Sequence, residues 1–266
     1  MATSNTAVVT GASSGIGAVY ADRLAARGHD LILVARNQER LDRQAERIRA
    51  AHGVTVRTVS ADLADPAQLR SVERLLRDDP AIGVLVNNAG FGGAGTLLDS
   101  SADRMEEMVA VNVTALMRLT YAAAPGFVAR GGGTIINIAS IVAIGPEILN
   151  GVYGGTKAFV LAFSQSLRGE LSAKGVRVQA VLPGATATEF WDVAGLPVGN
   201  LPQNWVMSAT DLVDAALTGL DRGEPVTIPP LQDGTLWDAY EAARQAMLPN
   251  LSNAAVAPRY RAAEAA

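Results

Sequence analysis

The stretch at residues 7–27, AVVTGASSGIGAVYADRLAAR, decides the fold class of this protein. Its first residues, Ala7 to Thr10, form a short apolar run that is typical of a buried strand. Gly11, Gly15 and Gly17 follow in a segment too rich in glycine for a helix or a strand. Apolar residues then recur at helical spacing until Gly28 supplies a stop. The stretch therefore predicts a strand, a glycine turn and a helix, which together make half of a βαβ unit.

The glycine turn is suited to binding a phosphate. The first turn of a helix leaves backbone N–H groups unpaired and carries partial positive charge, and glycine lets an anion approach them closely. A tight turn needed only for packing remains an alternative. The spacing is G-x-x-x-G-x-G rather than the familiar G-x-G-x-x-G. Residues 11–15 also match the G-x-S-x-G nucleophile elbow around Ser13, but a hydrolase of that type needs a late histidine, and no histidine follows His52.

Beyond this stretch, apolar runs alternate with helical patterns along the chain. The pattern predicts strands at residues 31–35, 54–60, 82–87, 134–138, 177–182 and 225–228. It predicts helices at residues 38–51, 66–78, 103–128, 153–174, 208–220 and 231–247. Strands alternating with helices indicate parallel pairing, and continuous apolar strands indicate a sheet covered on its two faces. We expect one α/β domain over residues 1–266: a doubly wound, Rossmann-type parallel sheet in three α/β/α layers, with a substrate-covering loop at 185–207 and a peripheral helix and tail at 231–266.

The composition excludes several classes of function. The chain has 266 residues, a net charge of −4 and no cysteine, which excludes disulfides and thiolate chemistry. A slightly acidic chain gives no electrostatic footprint for nucleic acid, and no run is apolar enough to span a membrane. The two histidines, His29 and His52, sit in predicted turns, so we expect no metal site. The N-terminus shows no signal-peptide pattern, which favours a cytoplasmic location.

A tyrosine, a lysine and a serine form the candidate catalytic group. Tyr153 and Lys157 are four residues apart on a predicted helix and therefore share one face. A phenol has an ordinary pKa of about 10, and a nearby cation favours the phenolate. Ser140 directly follows the strand at 134–138, at the rim where ligands of parallel sheets bind. Taken singly, the tyrosine and lysine could be a surface pair and the serine a helix cap.

Together these motifs resemble the short-chain dehydrogenase/reductase family, in its compact, NADP-preferring bacterial branch. The matching residues occur in the family's order and spacing across roughly residues 5–190. They are Thr10 to Gly17, Asp62-Leu63, Asn87-Asn88-Ala89-Gly90, Asn112, Ser140, Tyr153 with Lys157, and Pro183-Gly184.

The resemblance implies an oxidoreductase that reduces ketones or aldehydes, or oxidises alcohols in reverse, by hydride transfer. It implies that Tyr153 is the general acid/base and that Lys157 lowers its pKa and binds the nicotinamide ribose. Ser140 would polarise the carbonyl, and Asn112 would hold a water in a proton relay. For Asn112 the alternative is a buried amide satisfied by the backbone.

The resemblance also implies a set of cofactor-binding positions. They are Gly11, Ser13, Ser14, Gly15, Ile16, Gly17, Asp62, Leu63, Asn88, Ala89, Gly90, Tyr153, Lys157, Pro183, Gly184, Thr186 and Thr188. Of these, Asp62 and Leu63 would contact the adenine, although Asp62 could instead cap the following turn.

The end of the second strand indicates which nicotinamide cofactor binds. An acid that holds a ribose 2′-hydroxyl belongs about 20 residues after the first glycine, and this chain has Arg36 at the end of that strand. Arginine pairs with a phosphate, Arg40 is one helical turn further, and Ser13 could add a hydroxyl contact. We therefore expect NADP(H).

Two further expectations concern partners. Phe190 and Trp191 in the 185–207 loop favour an apolar or aromatic small-molecule carbonyl or alcohol as substrate. Resemblance to the family implies a homodimer or homotetramer through the two long helices. A non-enzymatic NADPH-binding sensor or scaffold of the same fold is the alternative function, although binding alone does not require the complete set of Asn112, Ser140, Tyr153 and Lys157.

Overall fold

The protein was analysed as a computed structural model that describes residues 5–261. The first four residues, where the sequence shows no signal-peptide pattern, and the last five, which end the predicted tail, lie outside the described residues. The chain divides into two compact units, one extending to Pro230 and one beginning at Leu231. Within the second unit, the rings of Trp237 and Tyr240 stack with centroids 5.3 Å apart.

The first unit is built on a seven-stranded parallel sheet in the order β3-β2-β1-β4-β5-β6-β9. Its strands are β1 (Thr6–Thr10), β2 (Asp30–Ala35), β3 (Val56–Ser60), β4 (Ile82–Asn87), β5 (Gly133–Ile138), β6 (Val176–Val181) and β9 (Val226–Thr227). The two-residue strands β7 (Thr186–Ala187) and β8 (Met207–Ser208) pair separately. Because the chain leaves β1 for β2 on one side and β4 lies on the other, a crevice opens at the carboxyl ends of β1 and β4.

Helices follow most of the strands. They are α1 (Gly15–Ala26), α2 (Gln38–His52), α3 (Pro66–Asp78), α4 (Ala102–Val109), α5 (Leu116–Ala129), α6 (Gly151–Leu171), α7 (Phe190–Ala194), α8 (Ala209–Asp221) and, in the second unit, α9 (Thr235–Met247). Asp65 caps α3 by accepting hydrogen bonds from the backbone of Ala67 and Gln68, and Ser208 caps α8 through the N–H of Asp211.

The sheet separates two apolar cores. On β1, Ala7 and Val9 face a core with α1, α2 and α8, whereas Val8 faces a core with α3, α5 and α6. Successive residues of a strand point to opposite faces of the sheet. These continuously apolar strands therefore present apolar side chains on both faces, and helices cover each face. The arrangement confirms the predicted doubly wound parallel sheet in three layers.

Several elements differ from the prediction in their bounds or in their helix type. The helix expected at 103–128 contains a π-helical segment, Ala110–Ala115, between α4 and α5. The helix expected at 153 begins at Gly151, because the side chain of Asn150 accepts hydrogen bonds from the N–H groups of Val152 and Tyr153. The terminal helix begins at Thr235 rather than at residue 231.

The segment at 185–207 is more ordered than a loop. It contains the short helix α7, several 3₁₀ turns, and strands β7 and β8, which pair at its two ends. The indole N–H of Trp191 donates to the carbonyl of Thr186 at 2.9 Å, so the helix is fastened to β7. Its role as a cover for the substrate stays a prediction.

Within the residues that the structure describes, no helix has both the length and the apolar character needed to cross a membrane.

Candidate active site

The glycine turn, which joins β1 to α1, lies at the crevice. Gly11 and Gly15 adopt φ values of +65° and +54°, a backbone conformation that side chains with a Cβ rarely take. Gly17 has no such φ but leaves no room for a side chain, since a Cβ there would lie 2.3 Å from the carbonyl oxygen of Gly11. The unusual glycine spacing therefore fits a turn that folds back tightly on itself before the helix begins.

Two polar side chains attach this turn to β4. The amide of Asn88 donates to the carbonyls of Thr10 at 2.9 Å and Gly11 at 3.2 Å. The hydroxyl of Thr10 accepts from the backbone N–H groups of Asn88 and Ala89, each at 3.0 Å. Asn88 and Ala89, which the sequence assigned to cofactor contact, thus also hold the two sides of the crevice together.

The N-terminus of α1 has the features of an anion cradle. Ser14 precedes the helix without capping it through its side chain, and the first turn carries no acidic residue. Ser13 and Ser14 line a cleft of about 390 Å³. Free N–H donors, the helix dipole and hydroxyl groups are the donor set that a dinucleotide phosphate needs, so the residues at this turn fit the expected cofactor.

The predicted adenine-binding residues lie on the side of the crevice formed by β2, β3 and the turns that follow them. Leu63 is buried, while Asp62 is half-buried and its carboxylate accepts a hydrogen bond from the N–H of Ala64 at 3.0 Å. Asp62 therefore caps the turn that follows it, which was the alternative to a contact with the adenine. The adenine contact stays a proposal. Arg36 is exposed at the end of β2, and Arg40 on α2 forms an ion pair with Glu189 at 2.6 Å.

The candidate catalytic residues converge at the carboxyl end of β5. Tyr153 and Lys157 lie one turn apart on α6 and are buried, with the lysine Nζ 5.8 Å from the centre of the tyrosine ring. The hydroxyl of Ser140 donates to the carbonyl of Pro183 at 3.3 Å and lies close enough to the phenol of Tyr153 to affect its pKa. The Nζ of Lys157 donates to the carbonyl of Ile138 at 2.8 Å, which ties the helix to the strand.

Burial shifts the pKa values of the two titratable groups in opposite directions. Burial raises the pKa of Tyr153 to about 12, and the hydrogen bond with Ser140 opposes that rise. Burial lowers the pKa of Lys157 to about 8. The group that favours the Tyr153 phenolate in this arrangement is Ser140, so the lowering of the tyrosine pKa by Lys157 stays a proposal.

Asn112 lies in the π-helical segment and is fully paired on its amide. Its Oδ1 accepts from the N–H of Phe91 at 3.1 Å, and its Nδ2 donates to the carbonyl of Phe91 at 2.9 Å and to the hydroxyl of Thr156 at 3.2 Å. A Cβ at Gly90 would lie 2.9 Å from its Oδ1. The structure agrees with the alternative of a satisfied buried amide, and the role of Asn112 in a proton relay stays a proposal.

The segment after β6 passes along the crevice. Pro183 accepts hydrogen bonds from Ser140 and from the N–H of Ile141, and the hydroxyl of Thr186 donates to the carbonyl of Gly184 at 3.1 Å. The methyl group of Thr188 lies against the glycine turn, 3.1 Å from the position of a Cβ at Gly15. Four of the predicted residues, Pro183, Gly184, Thr186 and Thr188, thus follow the crevice from Ser140 to the start of α1.

Sequence reasoning missed a buried polar ladder beneath the site. The amide of Asn87 donates to Thr120 at 3.0 Å and to the Oδ1 of Asn137 at 2.9 Å, and Asn137 donates to Ser164 at 2.9 Å. The ladder joins β4, β5, α5 and α6. Asparagines at the ends of two otherwise apolar strands were the available signal, because a buried amide requires partners.

Sequence reasoning also missed the contacts of the residues that follow Thr188. The ring of Phe190 lies 5.7 Å from that of Tyr153, and Glu189 pairs with Arg40. These partners are far apart in the chain, and no periodicity of the sequence brings them together.

The site combines a buried tyrosine beside a serine, a lysine one helical turn away and a glycine turn at the same sheet edge, and this combination defines a dinucleotide-dependent dehydrogenase. The model of the short chain dehydrogenase family matches residues 5–195, so the chain belongs to that family.

Solved structures resemble nearly the whole chain. A short-chain dehydrogenase from Sphingobium yanoikuyae, solved in complex with NADPH, is 52% identical with a TM-score of 0.94, over 96% of this chain and 99% of that one. A bulky-bulky ketone specific alcohol dehydrogenase from Comamonas testosteroni is 46% identical with a TM-score of 0.89, over 96% of this chain and 98% of that one.

More distant curated relatives cover less of the chain. An uncharacterized oxidoreductase from Staphylococcus epidermidis is 33% identical over 80% of this chain and 90% of its own length. A very-long-chain 3-oxoacyl-CoA reductase from Anas platyrhynchos is 36% identical over 69% of this chain, and the match spans 60% of the length of that protein.

Proposed function

We propose that this chain is an NADP(H)-dependent oxidoreductase that reduces a ketone or an aldehyde, or oxidises the corresponding alcohol. The observation that carries the proposal is the burial of Tyr153 and Lys157 one helical turn apart on α6, with Ser140 beside the phenol. Two hydroxyl groups that meet in an apolar pocket can hold one carbonyl oxygen between them. The NADPH complex of the Sphingobium dehydrogenase supports the same cofactor, and the ketone specificity of the Comamonas alcohol dehydrogenase supports the same class of reaction.

In the reduction, Ser140 donates a hydrogen bond that polarises the substrate carbonyl, and Tyr153 gives its proton to the oxygen. When bound, the nicotinamide supplies the hydride that the carbonyl carbon receives. Because burial keeps the pKa of Tyr153 near 12, the phenol carries its proton at neutral pH and is ready to act as the acid. Lys157 places a cation close to the phenol, which stabilises the phenolate left after the transfer. Asn112 would hold the water that returns the proton, which requires its amide to exchange the hydrogen bond with Thr156 for one with that water.

The cofactor is held along the crevice by the glycine turn, the end of β4 and the segment after β6. The free N–H groups at the start of α1 would hold its phosphates, as the uncapped helix start supports. Arg36 and Arg40 supply positive charge for a 2′-phosphate, with Ser13 in the same cleft as Arg40.

The substrate is an apolar or aromatic ketone or aldehyde. Phe91, Met108 and Val142 form a buried apolar cluster with Tyr153, and Phe190 packs against it. Apolar walls around a few fixed hydroxyl groups are typical of small-molecule sites. The specificity of the Comamonas relative for bulky-bulky ketones supports this choice.

A homodimer or homotetramer is proposed through α5 and α6. The rings of Tyr121, which is 68% exposed, and Phe163 stack with centroids 6.4 Å apart, and Phe159 continues the aromatic strip. Exposed aromatic residues are enriched at protein interfaces. We further propose a cytoplasmic location.

The proposed function is tested with a panel of ketones and aldehydes, following NADPH oxidation by its absorbance. We expect turnover to be fastest with bulky or aromatic ketones. Tight binding of NADPH with no turnover on a broad panel would instead favour a sensor or scaffold. Esterase activity that a Ser13→Ala variant lacks would favour the hydrolase alternative.

A further inference from the structure

We infer that Glu189 is an internal competitor of the 2′-phosphate of the cofactor and sets how tightly that phosphate binds. The inference rests on the proposed NADP(H) dependence and assigns a role to a residue outside the predicted binding set. Its basis is the 2.6 Å ion pair between the carboxylate of Glu189 and the guanidinium of Arg40.

The surroundings of this pair form a cationic cleft. The residues that line it are Ser13, Ser14, Arg40, Arg43, Gln44, Arg47 and Glu189, so three arginines face one carboxylate. Arg43 and Arg47 have acidic partners outside this lining, Glu39 at 3.2 Å and Asp22 at 3.3 Å. Among the described residues that line the cleft, Glu189 is therefore the only acidic one.

The position of Glu189 is fixed by its chain neighbours. Thr188 packs against Gly15 at the start of α1, and Phe190 packs against the ring of Tyr153. The carboxylate consequently projects from a short piece of chain held at both ends in the crevice. It reaches Arg40 from across the fold, 149 residues away in sequence.

The balance of charges determines which anion Arg40 prefers. The pair is exposed, with 43% of the arginine side chain and 57% of the glutamate side chain accessible, and exposed ion pairs are weak. A phosphate monoester carries about −1.5 to −2 charges at neutral pH and three acceptor oxygens, against the single charge of a carboxylate. The phosphate therefore displaces Glu189, but it binds less tightly than it would to a free Arg40.

The test measures binding, so that it does not depend on catalysis. The probes are 2′,5′-ADP and 5′-AMP, which differ only in the 2′-phosphate, titrated by calorimetry into the full-length protein. We expect Glu189→Gln to tighten 2′,5′-ADP by about two- to fivefold, the range of an exposed ion pair, and to leave 5′-AMP unchanged. The matched control is Asp192→Asn, which removes one negative charge from the adjacent helix and should affect neither probe.

A double-mutant cycle identifies the partner. In an Arg40→Met background, Glu189→Gln should no longer change the affinity for 2′,5′-ADP, because the group for which the two anions compete is gone. An equal effect of Glu189→Gln on the two probes, an unchanged affinity for 2′,5′-ADP, or an effect that persists without Arg40 overturns the inference. Failure of the wild-type protein to prefer 2′,5′-ADP over 5′-AMP would instead overturn the proposed cofactor.

Discussion

The ring of Phe190 faces the ring of Tyr153, with centroids 5.7 Å apart and planes inclined by 46°. The same ring lies against the backbone of Gly92, where a Cβ would be 2.4 Å from its Cζ. Phe190 therefore fills the space between the candidate catalytic phenol and the segment that follows β4. This places an aromatic wall beside the proposed site of reduction.

Replacement of Phe190 by alanine should enlarge the pocket. We expect kcat/KM for a ketone with two bulky substituents to rise relative to that for a small ketone by about tenfold, the effect of one or two methylene groups in an apolar pocket. The comparison of the two substrates measures this change. Trp205→Ala is the control, because Trp205 belongs to the same segment but is 67% exposed, and it should leave the ratio unaltered.

The contact with Gly92 gives a second, independent test of the same wall. Gly92→Ala should displace Phe190 and lower activity, and the double variant Gly92→Ala with Phe190→Ala should recover it, because neighbouring residues couple. Activity assays of the four proteins measure the coupling. Additive effects would show that Phe190 does not transmit the change at Gly92.

Removal of the Tyr153 hydroxyl should abolish most turnover while leaving the cofactor site intact. For Tyr153→Phe we expect a loss of about 10²–10⁴-fold in kcat, the usual contribution of a general acid. NADPH binding, followed by fluorescence, should stay at the wild-type level. Tyr121→Phe removes the hydroxyl of an exposed tyrosine and serves as control; a Tyr153→Phe enzyme with full activity would refute the assignment.

Reversal of the charge at Arg36 should reverse the choice of cofactor. Loss of a charge-assisted hydrogen bond lowers kcat/KM with NADPH by about ten- to a hundredfold, whereas an aspartate can hold the 2′-hydroxyl of NADH. Steady-state rates with the two cofactors measure the preference of Arg36→Asp. Arg70→Asp on α3 introduces the same charge change elsewhere, and a wild-type preference for NADH would contradict the reasoning.

The buried Lys157 should make stability depend on pH. Its pKa falls from 10.5 in the unfolded chain to about 8 in the fold, so between these values the unfolded state binds more protons. Stability attributable to this residue therefore rises with pH across that window, as the penalty for burying a charge disappears. Between about pH 7.5 and about pH 9.5, the free energy of unfolding should increase by about 1–2 kcal/mol relative to Lys157→Met.

Urea denaturation of the two proteins at the two pH values measures this difference. The window stays below pH 10, where the raised pKa of Tyr153 begins to act in the opposite direction. The same pH dependence of the free energy of unfolding in the wild-type and Lys157→Met proteins would contradict the lowering of the Lys157 pKa by burial.

A methyl group at Gly17 should damage the glycine turn. Its carbon would lie 2.3 Å from the carbonyl oxygen of Gly11, so the turn must shift, at a cost of about 1–3 kcal/mol. We expect Gly17→Ala to lower the midpoint of urea unfolding and to weaken 2′,5′-ADP binding. Gly155→Ala on α6, where a Cβ meets no described atom within 4 Å, should instead be neutral or stabilising.

Much of the fold could be predicted because its signals are local. Apolar runs, glycine stops and capping residues such as Asp65 and Ser208 each act within a few positions, and their alternation determines the parallel sheet. The class of site followed from Tyr153, Lys157 and Ser140, because a helical turn and a strand end place them without further information.

The remaining features depend on partners that are distant in the chain. The pairing of Glu189 with Arg40 and the contact of Phe190 with Gly92 arise only after the sheet has formed. The π-helical segment around Asn112 has the same apolar spacing as an α-helix, so periodicity cannot reveal it. The direction of the Tyr153 pKa shift depends on burial, which the sequence alone does not measure.

The attachment of the glycine turn to Asn88 has a consequence for biosynthesis. The amide of Asn88 holds the carbonyl of Thr10 from 78 residues further along the chain. While the ribosome has delivered only β1 to β3, the emerging polypeptide already contains the whole glycine motif but lacks its clamp. The glycine turn therefore reaches its final shape only after β4 has been synthesised and has inserted beside β1.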